Sequence, residues 1–151
     1  MNPLTLQQLI PVIQTAVGPV ILISGVGLLL LSITNRFGRI VDRARLLARE
    51  LPVAGANRDQ LSAQLAIIYR RSKVLRLSIV LATSSVLLAG LLIISLFLAA
   101  LLHLEAALLV SLCFILCMVA LVASLIVFLV DLQMSLRALR VELAQAGFDG
   151  K

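Results

Sequence analysis

Residues 12–45 read VIQTAVGPVILISGVGLLLLSITNRFGRIVDRAR, an apolar run over 12–33 followed by arginines from Arg36 onward. A helix of ~20 apolar residues crosses a hydrocarbon core about 30 Å thick. No basic residue precedes Arg36, and ten lie between Arg36 and Arg76. Because short loops rich in Lys and Arg stay in the cytoplasm, this stretch predicts a first span with the N-terminus outside.

Two further apolar runs, over 77–102 and 106–130, predict two more spans joined by a tight external turn at 103–105. Three spans place the C-terminus in the cytoplasm, and the basic residues of the tail at 131–151 agree. The prediction is an all-α integral protein of the inner (plasma) membrane, with one membrane domain over 1–151.

The composition supports this class, because 62% of the residues are apolar and only 13% are charged. The formal net charge of +6 lies almost wholly on the predicted cytoplasmic side, so anionic lipid headgroups are the expected partner. The basic residues have few aromatic neighbours, which argues against nucleic acid.

The 43 residues over 34–76 keep a helical apolar period, which predicts a cytoplasmic helical hairpin that continues the first two spans. Pro52 and Gly55 break the period, and Asn57 resembles a helix N-cap. The third span is predicted to continue as a tail helix after Asp131. Residues 1–11 are predicted to form a separate interfacial helix that ends at Pro11.

Small side chains on one face of each span predict where helices pack closely. The predicted faces comprise Thr15, Gly18, Gly25 and Ser32 in the first span, Ser78, Ala82, Ser85 and Ala89 in the second, and Cys113, Cys117, Ala120 and Ser124 in the third. Gly27, Thr83 and Ser84 lie off these faces and leave room for self-association. Pro19 predicts a bend, either structural or part of an ion or substrate site.

A polar cluster at the cytoplasmic mouth carries the most chemistry in the chain. Its members are Asn35, Arg36, Arg39, Asp42, Arg43, Arg70, Arg71 and Arg76. Two interpretations are open: a solvated collar that binds headgroups, or a polar lock in which Asp42 joins the hairpin arms or neighbouring protomers. Asp42 is expected to pair with Arg39 or Arg45 on its own helix, or with an arginine of the facing arm.

Asp131 ends the third apolar run on the same stripe as Ser124, so it is expected to face the bundle and to pair with Lys73 or Arg76. An ion-pathway role is the alternative. His103 and Glu105 are expected to be solvated turn residues, with proton sensing by His103 as a minor alternative.

The sequence offers no catalytic or metal-binding pattern, so we expect neither an enzyme nor a cofactor. Cys113 and Cys117 lie one turn apart on one helix, a spacing that does not favour a disulfide. They are expected to pack as small apolar residues.

Several short motifs resemble those of a family of small bacterial membrane proteins, the domain of unknown function family 2721. They are Pro19-Val20, Ser24-Gly25-Val26-Gly27, Asn35-Arg36-Phe37-Gly38-Arg39, Asp42-Arg43, Arg70-Arg71 and Arg76. The resemblance covers residues 12–140. It implies a three-pass membrane protein and carries no activity.

Two functions fit these features. The favoured one is a homo-oligomeric pore or ion channel, with Thr83, Ser84, Ser85 and Ser95 as lining and with Asp131 lining the pore or packing. The alternative is a non-catalytic accessory or assembly subunit of a larger membrane complex. The number of copies of the chain in its assembly would distinguish the two functions.

Overall fold

The computed structural model describes residues 6–52, 57–102, 105 and 107–145, and describes side chains from Ile10 to Leu136 within those ranges. It contains three α-helices: α1 at Leu6–Glu50, α2 at Arg58–Leu102 and α3 at Ala107–Gln145. Each is long and apolar enough to cross a membrane, which confirms the predicted all-α, three-pass fold. Helices α1 and α2 have 45 residues each, or about 68 Å at 1.5 Å per residue.

The predicted boundary at Pro11 is wrong. Helix α1 begins at Leu6 and continues through both Pro11 and Pro19, so residues 6–11 are part of the first long helix. A proline removes one backbone hydrogen bond, and the turns on both sides of Pro11 can still hold the helix. Residues 1–5, including Pro3, lie outside the described residues.

The other predicted helix ends agree with the structure. Helix α1 ends at Glu50, just before Pro52, and α2 begins at Arg58, directly after Asn57. Helix α3 continues well past Asp131 to Gln145. Of the predicted external turn, Glu105 is described and exposed, whereas His103 lies outside the described residues.

Helix α2 lies between the other two and makes most of the helix–helix contacts. Its buried residues follow alternating steps of three and four, the spacing that keeps one stripe of a helix against its neighbours. They are Leu75, Ser78, Ala82, Ser85, Ala89 and Leu92. This confirms the predicted α2 face, and buried Cys117 and Ser124 confirm the centre of the α3 face.

The predicted α1 face is wrong. Gly18, Gly25 and Ser32 are exposed, and α1 instead buries Ala16, Val26 and Ile33. A Cβ atom added at Gly18, Gly25 or Gly27 would meet nothing within 4 Å. The branched side chains of Val26 and Ile33 offer more atoms for dispersion contact than glycine does, and a helix with one main neighbour buries one stripe.

Beyond the apolar runs, α1 and α2 continue side by side as two arms, α1 from Arg36 to Glu50 and α2 from Arg58 to Arg76. We call this the arginine-rich end. Apolar residues that keep the helical period along the arms, such as Ile40, Leu47 and Leu65, are half-buried, while Leu46 and Ile67 beside them are exposed. The apolar period therefore correctly indicated which sides of the arms meet.

Candidate functional site

The α2–α3 contact contains a series of polar pairs that recur every seven residues. Ser85 donates a hydrogen bond to the backbone oxygen of Cys117 (3.0 Å), and the Cys117 thiol donates back to the Ser85 oxygen (3.2 Å). One heptad along, Ser78 donates to the Ser124 oxygen (2.9 Å) and Ser124 to the Ser78 oxygen (2.8 Å). These reciprocal bonds lie along the antiparallel register in which α2 and α3 pack.

The next heptad step leads from Ser124 to Asp131 on α3 and from Ser78 back to Arg71 on α2. The serine register therefore brings these two residues to the same level. Asp131 is fully buried, with 0% of its surface exposed, which confirms that it faces the bundle.

Two arginines from different helices reach the Asp131 carboxylate. Arg36 of α1 donates from Nε to Asp131 Oδ2 at 2.9 Å. Arg71 Nε lies 3.7 Å from Asp131 Oδ1, an ion-pair distance too long for a hydrogen bond. The arginine side chains are 24% and 22% exposed, so they extend from the buried acid toward the surface of the bundle.

Ser135, one turn after Asp131, completes the cluster. Its hydroxyl accepts a hydrogen bond from an Nη2 group of Arg36 and another from Arg71. It donates in turn to the backbone oxygen of Asp131 at 2.9 Å. Each guanidinium therefore contacts both Asp131 and Ser135, a fork geometry that lysine cannot reproduce.

We call Arg36, Arg71, Asp131 and Ser135 the ion cluster. It contains two guanidinium groups and one carboxylate, so its formal charge is +1. A buried carboxylate is tolerated when it is paired and hydrogen-bonded, and removing its partners is costly. Because the members come from α1, α2 and α3, the ion cluster ties all three helices together where the apolar runs end.

The predicted partners of Asp131 were wrong. Arg76 is exposed, and the Lys73 ammonium lies 5.1 Å from the centre of the Tyr69 ring. Proximity to the end of the second apolar run favoured Lys73 and Arg76, but neither lies on the heptad of Ser78. Arg71 does, so it is the residue that reaches Asp131.

The predicted lock between Asp42 and the facing arm is also absent from the described residues. Asp42 is 73% exposed and lies 3.9 Å from Arg45 on its own helix, the intrahelical alternative of the prediction. Of the predicted polar cluster, the structure brings only Arg36 and Arg71 to a buried acid. The exposed members are Asn35, Arg39, Asp42, Arg43, Arg70 and Arg76.

The predicted pore-lining residues do not share one surface. Ser85 is buried between α2 and α3, and Asp131 is held within the ion cluster. The Thr83 hydroxyl is exposed and donates to the Ile79 oxygen, while half-buried Ser95 donates to the Leu92 oxygen. Ser84 is half-buried. Thr83 is therefore the residue of this group that faces outward.

Pro19 lines a cleft with Thr15 and Phe114, about 430 Å³ in volume, at the end of the helices opposite the arginine-rich end. Leu92 and Leu96 of α2 also line it. The Thr15 hydroxyl donates to the Pro11 oxygen, so it does not compensate the carbonyl that Pro19 leaves free. The cleft is mostly apolar, and its polar contribution comes from residues such as Thr15 and Ser111.

Within the described ranges, no three His, Cys, Asp or Glu residues come together as metal ligands. Both cysteines are free thiols, and Cys113 donates to the Leu88 oxygen at 3.5 Å.

Ser135 is the member of the ion cluster that the sequence analysis missed. Ser135 lies four residues after Asp131 on the same helical face, and this spacing could have indicated that it belongs to the same cluster.

A family model described as "Protein of unknown function (DUF2721)" matches residues 16–141 of the chain. No curated protein and no solved structure matches the chain. The matched region includes all four residues of the ion cluster.

Proposed function

We propose, from the premise that the chain belongs to the DUF2721 family, that it is a non-catalytic assembly subunit of a membrane complex. The observation that carries this proposal is the ion cluster, which joins α1, α2 and α3 where they leave the apolar region. It links the three helices of one chain at one level, and this supports a defined outer surface for a partner.

The orientation belongs to the same proposal. The arginine-rich end lies in the cytoplasm of a bacterial inner membrane, and the turn containing Glu105 lies outside. The distribution of Lys and Arg supports this orientation.

The α1 helix supplies the proposed association surface. Its exposed small residues Gly18 and Gly25 lie one heptad apart on a side of α1 that is not buried against α2, and both have open space around them. In lipid, such residues let a second helix approach closely, and association gains van der Waals contact. The intramolecular packing of this chain does not use that property.

A homo-oligomeric pore is the second candidate. Thr83 favours it, since its hydroxyl is exposed on the apolar part of α2 and a ring of copies could bring several such hydroxyls together. The use of Ser78, Ser85 and Ser124 in bonds within one chain counts against it, because these hydroxyls are not available to a water-filled path.

Native electrophoresis of membranes that contain the chain tests the assembly role. We expect the parent chain to migrate in a complex much larger than a monomer, and the Gly25→Leu variant to migrate as a monomer. Gly90→Leu is the matched control, because a Cβ at Gly90 also meets nothing within 4 Å but lies on α2. A complex unaffected by Gly25→Leu would contradict an association surface on α1.

Stoichiometry and ion flux separate the two candidates. If the chain is an assembly subunit, we expect native mass spectrometry of the purified chain to show no closed ring. Liposomes that contain the chain should then release ions no faster than empty liposomes. A closed ring with a flux that falls in Thr83→Leu would replace the assembly role with a pore.

A further inference from the structure

A groove runs between the two arms on the side where Arg71 lies. It has a volume of about 370 Å³, within the range of small-molecule sites. Three arginines line it, Arg39 and Arg43 from α1 and Arg71 from α2, together with Gln64 and isoleucine side chains such as Ile40 and Ile68.

The charged residues that line this groove are all positive. No carboxylate is among its described lining residues. The nearby acid Asp42 pairs with Arg45, which lines a different and mainly apolar groove on the other side of the arms. Asp131, the acid next to Arg71, is shared with Arg36. Three arginines therefore line a groove whose described lining residues include no carboxylate.

The groove lies at the edge of the apolar region. Arg39 and Arg43 follow Arg36 by three and seven residues, about 4.5 and 10.5 Å along a helix, and Arg36 follows the apolar run by three residues. Arg39 and Arg43 therefore lie about 9 and 15 Å beyond the apolar run. The headgroup layer extends about 5–8 Å from the hydrocarbon core, so the end of the groove nearest the membrane begins just outside this layer, within reach of a long arginine side chain.

We propose that this groove binds the phosphate group of an anionic phospholipid. Guanidinium groups bind phosphate through paired, charge-assisted hydrogen bonds, and basic pockets beside membrane helices are suited to lipid headgroups. The isoleucines form apolar walls beside the arginines. The position of the groove next to the membrane surface, where anionic headgroups are concentrated, favours a lipid over a dissolved phosphate ion.

Arg71 links this groove to the ion cluster. Asp131 and Ser135 hold its guanidinium on one side, while its side chain lines the groove on the other. Its Nε makes no hydrogen bond within the described part of the chain. Arg71 is thus a fixed wall of the lipid site, and Arg39 and Arg43 are the exposed arginines that close on the headgroup.

The test uses the full chain in nanodiscs of phosphatidylcholine, with and without phosphatidylglycerol. Native mass spectrometry counts the phosphatidylglycerol that stays bound after the disc is removed. In Arg39→Gln/Arg43→Gln we expect retention to fall roughly 25-fold, since each of the two arginines near the surface adds about a factor of five to anionic-lipid binding. Arg45→Gln/Arg49→Gln removes the same charge from the same helix outside the groove and should change retention less than twofold.

Three outcomes would overturn the inference. Equal losses in both double variants would assign retention to overall charge. A thermal stabilisation by inorganic phosphate in phosphatidylcholine discs, equal to that by phosphatidylglycerol, would assign the groove to free anions. Lower melting of Arg39→Gln/Arg43→Gln than of the parent in phosphatidylcholine discs would assign these arginines to folding. The inference does not depend on the assembly role, because it requires only the single chain.

Discussion

Arg36 and Asp131 are 95 positions apart in the chain and meet through a 2.9 Å hydrogen bond from Nε to Oδ2. This contact joins α1 directly to α3, which otherwise pack mainly against α2. It is also the contact in which a fully buried carboxylate receives its closest cation. The stability of the whole bundle should therefore respond to this pair.

Asp131→Asn should lower the free energy of unfolding in detergent by about 3 kcal/mol, the low end for a broken buried ion pair, because the two arginines are partly exposed. The change leaves two guanidinium groups side by side without a counter-charge. Unfolding of purified protein in mixed micelles measures it. The control is Asp42→Asn, whose exposed pair should contribute less than about 1 kcal/mol. Equal effects would mean that the ion cluster adds no special stability.

Arg36→Lys should destabilise almost as much as Arg36→Gln. Lysine keeps the charge, but it cannot bond to Asp131 and Ser135 with the two arms of a planar fork. A double-mutant cycle of Arg36→Gln with Asp131→Asn should give a coupling energy of about 1–3 kcal/mol. Full retention of stability in Arg36→Lys would show that charge alone matters here.

Ala89→Leu should lower the free energy of unfolding by about 1–3 kcal/mol, because Ala89 is buried where α2 packs and an added side chain overfills the site. Thermal melting in detergent measures the loss. An unchanged melting curve would place this face of α2 against lipid.

Gly25→Leu should leave the stability of the isolated chain unchanged or raise it by up to about 1 kcal/mol, since leucine is the better helix former and the site is open. The same melting assay applies. A loss comparable to that of Ala89→Leu would restore the packing face first predicted for α1.

Cysteines placed at Gly55 and Glu105 should label from opposite sides of the membrane, Gly55 from the cytoplasm and Glu105 from outside. An impermeant maleimide on intact cells and on inverted vesicles distinguishes the two sides. Labelling of the Gly55 position in intact cells would reverse the proposed orientation.

The sequence predicted the helices well because the apolar period is long and strong. It located the α2 face through Ser78 and Ala89, where small residues and heptad spacing coincide. It failed on α1, where the glycines and the heptad of Val26 and Ile33 lie on different sides, and small size alone did not decide the contact. The partners of Asp131 were missed because they depend on the register between two helices, which the position of a residue in the chain does not fix.

Because the polar pairs repeat every seven residues, a slip of α3 by one heptad along α2 could still form one small polar pair, either Ser85–Ser124 or Ser78–Cys117. A slip of one heptad would put Ser124 beside Ser85 in one direction, and the hydroxyls would accept the exchange. Asp131 would then lie beside Ser78, without Arg71. In the other direction it would lie beside Gln64. The small polar pairs therefore discriminate less between these registers than Asp131 does. This carboxylate is buried within the described part of the bundle and favours the one alignment that places it beside Arg71, as one polar core position does in coiled coils.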